Sequence, residues 1–349
     1  MPGHVTLLLD QFVPLVTRLA IAGAGWAGEL HAAATERVPG ARLVQILSRT
    51  TESAERTAAT VGVPGVTYAE LSSKAELVVV ATPPTHHCEM ATTALGRSMA
   101  VLMEKPLCAT LAEADALIAA VEAAGVAAGY AENLLFAPAI DVALAHRAEG
   151  PLTHLSSRAA QPTPTWGHFA EPLTVGGALF DLGAHPVALA LAFAKSEPVG
   201  VRARIDSNRD DGADDDASVR LRFADGLVAE IEVSWRASKP VWDLQASTPD
   251  RVSRVELLPN IAVELDGADI TPEPTDPLTD FGYVGQLRGI VDVLSGLGGR
   301  VCPLGFGRLV LEVICAAYQS AGQGGLDGAE VPLPFGGPRD LNPMQLWQR

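Results

Sequence analysis

Cysteine is scarce in this chain of 349 residues: there are four, at Cys88, Cys108, Cys302 and Cys315, with no CxxC pair among them. That scatter excludes a disulfide framework and a zinc ribbon, and it fits a reducing cytoplasm. Positive charge is short as well, with 25 Lys+Arg against 41 Asp+Glu and a formal net charge of −16. So acidic a chain lacks the electrostatic footprint of a nucleic-acid or anionic-membrane binder. Long apolar runs are missing too. The segment from Val5 to Val16 is apolar but short, carries Asp10 and lacks a basic stretch before it. It reads as a short arm over residues 1–17, or as residues upstream of the true start, and neither as a signal peptide nor as a membrane span. What the chain has instead is apolar bulk. Hydrophobic residues make up 48% and charged residues 19%, enough for a large core, and the length suggests two domains.

From Leu19 short apolar runs alternate with helical spacing. Leu19 to Ala22 and Leu43 to Leu47 read as strands, and Leu77 to Ala81 is a continuous Val-rich run of the kind buried on both faces. Gly25 to Val38, Thr51 to Val61, His87 to Leu95 and Leu111 to Ala124 read as helices between them, the last stopped by Gly125. This β-α-β-α order predicts a parallel, doubly wound sheet over residues 18–130. After about Ala131 the pattern changes. Helices are expected over Phe136 to Ala148 and Gly177 to Ala194, then period-two stretches from Val199 to Leu258 with Asp225-Gly226 as a turn. Two further helices, Tyr283 to Ser295 and Gly307 to Ser320, follow. The expected fold is therefore α/β: a Rossmann domain, then an α+β domain over residues 131–335 with a mainly antiparallel open sheet. Residues 336–349 form a Pro/Gly-rich tail whose Leu341, Met344, Leu346 and Trp347 suggest that it packs back.

The motif Gly23-Ala24-Gly25-Trp26-Ala27-Gly28 follows the first strand and opens a helix, the context in which GxGxxG binds a dinucleotide. Gly23 allows the tight turn, Gly25 close approach to a pyrophosphate, and Gly28 helix–strand packing. The second strand ends at Ser48-Arg49, where an NAD site usually carries an acidic residue for the ribose 2′-OH. A hydroxyl and a guanidinium suit a 2′-phosphate instead, so NADP is expected over NAD; a solvated arginine at a strand end fits the same residues. Two more stretches, Ala81-Thr82-Pro83-Pro84-Thr85-His86-His87 and Glu104-Lys105-Pro106, lie at carboxyl ends of predicted strands. Lys105 can hydrogen-bond a substrate hydroxyl or share its proton if its surroundings lower its pKa; on residue type alone it reads as a surface lysine. In Gly176-Gly177-Ala178-Leu179-Phe180-Asp181-Leu182-Gly183-Ala184-His185, Asp181 and His185 are four apart and share one face of an apolar helix. By themselves they fit a proton-transfer pair and a structural core pair equally. Asp210, Asp211, Asp214, Asp215 and Asp216 beside Gly212 resemble a metal site at first sight, but their place between two strand patterns favours a solvated turn, and no metal is expected.

Taken in order, GAGWAG, ATPPTHH, EKP and GGALFDLGAH resemble the Gfo/Idh/MocA family, the glucose–fructose oxidoreductase and inositol dehydrogenase group, from Leu19 to about Phe335. The resemblance implies a Rossmann domain joined to an α/β domain whose sheet makes a homodimer or homotetramer interface. It also implies hydride transfer between a nicotinamide and a hydroxyl-bearing carbon of a sugar, cyclitol or related polyol. Residue by residue, it makes His185 the main acid/base, with Lys105 assisting and Asp181 orienting substrate or histidine. Thr82, Pro83, His87 and Glu104 match positions lining the cofactor groove, and Asn133 falls where the domains join, a candidate contact to nicotinamide or substrate. The loop from Gln161 to Glu171, with Trp166 and His168, and the sheet residues Arg236 and Trp242 are of the sort that face a sugar, although aromatic residues there also serve packing. Two other readings compete. A relative of the same family can hold NAD as an internal relay for glycoside cleavage or sugar exchange, and a non-catalytic dinucleotide sensor can keep the fold.

Overall fold

The computed structural model describes residues 16–147, 150–165, 176–324 and 328–348. Its first six strands are β1 (Thr17–Ala22), β2 (Ala41–Ser48), β3 (Gly65–Thr67), β4 (Leu77–Val80), β5 (Ala100–Glu104) and β6 (Ala128–Ala131). They form one parallel sheet in the order β3-β2-β1-β4-β5-β6. Helices α1 (Trp26–Thr35), α2 (Thr51–Val61), α3 (His87–Leu95) and α4 (Leu111–Ala124) provide the crossovers. Every residue of β4 and β5 is buried, which explains their unbroken apolar text: helices cover both faces. The strand order reverses between β1 and β4, so the loops after these strands diverge and leave a crevice at their carboxyl ends. Ala81 N–H donates to Ala22 O at 2.7 Å, which ties the two loops together at the root of that crevice.

The second sheet has nine strands in the order β14-β13-β12-β11-β7-β10-β9-β8-β15. They are β7 (His154–Pro162), β8 (Pro198–Asp206), β9 (Asp216–Phe223), β10 (Val228–Ser234), β11 (Arg236–Ser247), β12 (Val252–Leu258), β13 (Ala262–Leu265), β14 (Ala268–Asp269) and β15 (Val331–Pro332). All neighbours are antiparallel except β7 and β10. The alternation seen in β9 and β10 is physical: Val219, Leu221, Ile231 and Val233 are buried while Arg220, Arg222, Glu230 and Glu232 face out. β7, central in this sheet, was not anticipated, because its small and polar residues (HLSSRAAQP) carry little strand signal.

Helix boundaries shift from the sequence expectation. The first helix of this domain, α5, covers Pro138–Ala145, and a 3₁₀ turn, Asn133–Phe136, precedes it because Pro138 belongs at a helix start rather than inside one. The helix expected from Gly177 to Ala194 is broken into α6 (Ala178–Asp181) and α7 (Ala184–Ala194). At the break, Ala178 O accepts N–H groups from both Leu182 and Gly183, and a side chain on Gly183 would collide with Leu179 O. Next come α8 (Pro277–Asp280), α9 (Tyr283–Leu294) and α10 (Leu304–Gln323), the last longer at both ends than its periodic core suggests. The tail ends in α11 (Pro343–Trp347), where Met344 and Leu346 are buried and Trp347 packs edge-on to Tyr318 of α10. The acidic turn is not uniformly solvated. Asp210 and Asp211 are exposed, but Asp214 is 0% and Asp215 6% exposed; Arg236 pairs with Asp215 and Arg209 with Asp211.

Candidate active site

Gly23 adopts φ +129°, open to glycine at little cost, and any side chain there would strike Ala81 O of the β4 loop. A side chain on Gly28 would strike Gly23 O, so the helix could not seat against the turn. Gly25 differs: a Cβ there would meet nothing within 4 Å. It is the N-cap of α1 and has no side-chain cap, so the first N–H groups of the helix face open space flanked by exposed Trp26 and half-exposed Ala27. An uncapped helix start behind a glycine shelf suits a pyrophosphate, and the residues fit a dinucleotide.

Two carboxylates set the geometry next to this shelf. Glu104, the last residue of β5, is buried; its Oε1 meets His31 Nε2 of α1 at 2.8 Å, and its Oε2 accepts the Lys105 N–H at 2.9 Å. Burial pushes the Glu104 carboxyl up, but His31, Lys105 and these hydrogen bonds outweigh it and hold it ionised. Lys105 then reaches across the domain boundary. Its Nζ donates to Asp181 Oδ1 at 2.8 Å and to Asp181 O at 3.1 Å. Burial draws the ammonium down, yet Asp181, Glu104 and Glu132 prevail and its pKa is raised. With its pKa raised, Lys105 meets the first of its two expected uses, as a charged hydrogen-bond donor, and lacks the lowered pKa that sharing its proton would need. An ammonium has three N–H donors, so one remains for a substrate oxygen.

Asp181 and His185, expected on one face of a continuous helix, have different partners. The break after Asp181 turns its carboxylate to Lys105, while His185 at the start of α7 pairs with Glu132, its Nδ1 lying 2.6 Å from Glu132 Oε1. Because a carboxylate only accepts, Nδ1 carries the proton, and in the neutral ring the lone pair is then on Nε2. Nε2 has no partner among the described residues and is not sealed from solvent. Glu132 is fully buried at the carboxyl end of β6, and its Oε2 has no partner among the described residues. Sequence reasoning passed over it for its neighbour Asn133. A signal existed: Glu132 is the only charged residue between Val126 and Ile140.

The remaining expected residues divide. Thr82 is buried beside the glycine turn with Oγ1 unpartnered among the described residues, and Pro83 is half-exposed. His87 lies beneath the groove rather than at its surface: it is 0% exposed, with Nε2 2.7 Å from Thr82 O and Nδ1 3.1 Å from Leu107 O. Burial lowers its pKa, and because both partners are carbonyl oxygens that only accept, the neutral ring donates to one of the two loops after β4 and β5 at a time. Asn133 spends its amide on Phe281 O at 2.7 Å, a bond that joins the 3₁₀ turn to the segment before α9. Ser48 is buried at the end of β2, whereas Arg49 is exposed and has no ion pair among the described residues. Trp242 stacks beside His185 with ring centroids 5.3 Å apart, and Arg236 is held by Asp215. Trp166 and His168 lie outside the described residues.

Known proteins carry the same combination. Residues 17–131 match the Gfo/Idh/MocA oxidoreductase family, NAD-binding Rossmann fold, and residues 140–247 match the C-terminal domain of that family. Glucose-6-phosphate 3-dehydrogenase of Bacillus subtilis (strain 168) is 27% identical over 205 residues, 55% of this chain and 58% of that enzyme. The chain thus aligns with little more than half of that relative's length. A protein of Amycolatopsis mediterranei (strain S699), provisionally named UDP-kanosamine synthase oxidoreductase subunit, is 28% identical over 349 aligned residues, covering 87% of this chain and 96% of the relative. Among solved structures, GenD2 from gentamicin A biosynthesis in complex with NAD superposes with a TM-score of 0.81 at 25% identity, covering 91% of this chain and 96% of that one. With both of its domains matched and the motifs brought to one crevice, the chain belongs to the Gfo/Idh/MocA family of oxidoreductases.

Proposed function

We propose that this protein is an NAD(P)-dependent dehydrogenase or reductase acting on a CH–OH group of a sugar, cyclitol or similar polyol, with NADP preferred. One observation carries the reading: His185, backed by Glu132, and Lys105, held by Asp181, are brought from both domains to the crevice beside the glycine shelf. Gly23, Gly25, Trp26, Ala27 and Gly28 would hold the pyrophosphate, with Thr82, Pro83 and Glu104 bordering the groove. The nicotinamide supplies the hydride acceptor or donor when bound. Everything else falls to the chain. Lys105 donates a hydrogen bond to the reacting oxygen and stabilises negative charge there as the C–O bond order changes. His185 Nε2 takes the hydroxyl proton in the oxidative direction and returns it in the reductive one. Glu132 fixes the tautomer that makes Nε2 a base and balances the imidazolium once the proton arrives.

The NADP preference rests on the end of β2. No acidic residue lies between Ala41 and Thr51, and Arg49 presents a guanidinium free of ion pairs among the described residues. A homodimer or homotetramer through the outer face of the nine-stranded sheet, in the cytoplasm, completes the reading; that face carries Arg158, Glu230, Glu232, Asp243 and Arg254 around a shallow groove. The names of the relatives, glucose-6-phosphate 3-dehydrogenase among them, support the polyol class. Absorbance at the reduced-nicotinamide band, with each cofactor against a panel of sugars, sugar phosphates and cyclitols, tests cofactor and substrate class together. Absence of turnover across the panel with both cofactors would overturn the assignment.

A further inference from the structure

Asp214 is the most deeply buried aspartate of the acidic turn, and the chemistry above does not use it. Its backbone O accepts the Ala178 N–H at 2.9 Å, and its Oδ2 accepts the Leu179 N–H at 2.8 Å. These are the first two donors of α6, the four-residue helix that ends in Asp181. Its other oxygen, Oδ1, accepts the Tyr318 hydroxyl from α10. Gly177 makes the approach possible, since any side chain there would collide with the Asp214 carboxylate. A helix this short cannot hold its own register, because few of its hydrogen bonds are internal. Asp181, in turn, is what holds Lys105 Nζ.

We propose that Asp214 and Tyr318 form a positioning brace for the active site: they fix α6, α6 fixes Asp181, and Asp181 sets the place and charge of Lys105. The brace acts through hydrogen bonds. An amide in place of the carboxylate can still accept from Leu179 N–H through its oxygen and donate to the Tyr318 oxygen through its nitrogen. Where turnover is the readout, the proposal rests on the dehydrogenase reading. Where the reactivity of Lys105 is the readout, it does not.

The experiment compares Asp214→Ala, Asp214→Asn and Tyr318→Phe in the full-length protein. Trace acetylation with acetic anhydride, followed by peptide mass spectrometry, reads Lys105 against the other three lysines, Lys74, Lys195 and Lys239. In Asp214→Ala, a slackened Asp181 frees the Lys105 amine, and its labelling should rise about fivefold or more while the other lysines stay unchanged. On a working substrate kcat should fall at least about tenfold with dinucleotide Kd within about twofold, as expected for a misplaced catalytic group. Asp214→Asn should bring both readouts back to within about threefold of the unsubstituted protein, and Tyr318→Phe should fall between. Unchanged Lys105 labelling in Asp214→Ala overturns the brace. So does labelling that rises at all four lysines together with lost dinucleotide binding, which marks a merely structural role. If Asp214→Ala does not fold, Tyr318→Phe decides, and unchanged Lys105 labelling there counts against the proposal. If the unsubstituted protein turns over nothing, the dehydrogenase reading fails while the labelling still judges the brace.

Discussion

Glu132 Oε1 lies 2.6 Å from His185 Nδ1, across 53 positions of sequence, and joins the end of β6 to the start of α7. A fully buried carboxylate whose second oxygen has no partner among the described residues is costly to keep, and the imidazole is what makes it tolerable. The pair is therefore a unit: the carboxylate orients the ring, and in the proposed reaction the histidine presents the base.

Glu132→Gln tests that unit. The amide can donate to Nδ1 and so favours the tautomer with Nε2 protonated, the wrong form for a base. A fall in kcat of about 100-fold or more is expected, with dinucleotide affinity unchanged. Steady-state kinetics and a fluorescence titration of the reduced cofactor check it; a kcat within threefold of the unsubstituted enzyme would falsify the role of Glu132.

Lys105→Ala removes the proposed donor to the reacting oxygen and leaves the Asp181 carboxylate without its ion pair. A loss of about 10²- to 10⁴-fold in kcat/KM is expected while the dinucleotide still binds. Near-normal kinetics would remove Lys105 from the chemistry. Because the Lys105 pKa is raised, turnover should show no loss from lysine deprotonation on going from pH 7 to pH 9.

Arg49→Ala addresses cofactor choice. Loss of a guanidinium from a phosphate costs about 1.5–3 kcal/mol, so Kd for NADPH should rise by roughly 10- to 100-fold. Affinity for NADH should be nearly unaffected. Equal effects on the two, or none on either, would argue that Arg49 is only a solvated strand end.

The glycines of the turn should fail in different ways. Gly25→Ala adds a methyl to open space at an ordinary backbone angle, so the thermal midpoint should hold while dinucleotide Kd rises. Gly28→Ala drives a methyl into Gly23 O, and a stability loss of about 1–3 kcal/mol is expected. Chemical denaturation and cofactor titration separate the two outcomes. A Gly28→Ala protein as stable as its parent would contradict the packing described.

Burial pushes the Asp214 carboxyl from 3.8 up to about 6, against the opposing hydrogen bonds from Leu179 N–H and Tyr318. The folded chain therefore holds this proton more tightly than the unfolded chain. Linkage then makes the Asp214 contribution greatest below about pH 4 and has it decline as pH rises through about 6, by on the order of 3 kcal/mol in all. Asp214→Asn cannot ionise. Its stability relative to the parent should climb across this window and level off above it. Denaturation curves of both proteins between pH 4 and pH 8 read the difference directly, and a flat difference would contradict the raised pKa.

Local pattern made much of this legible in the sequence. Parallel strands buried on both faces must read as apolar runs, and a helix that receives a pyrophosphate must start at glycine, so the Rossmann half was visible in its text. The period-two stretches likewise announced the second sheet, although β7, made of small and polar residues, did not announce itself. Lys105, Asp181 and His185 were conspicuous by residue type and motif, but their partners were not. Spacing along a chain tells which residues share a face; it does not tell where a break such as Leu182-Gly183 will turn that face. Only packing decided that Asp181 meets Lys105 from 76 positions away, that His185 meets Glu132, and that Asp214 leaves its turn to join Tyr318 from 104 away. The reason is solvation: a charged group taken out of water must find a partner wherever the fold provides one, and that choice is made by the tertiary structure.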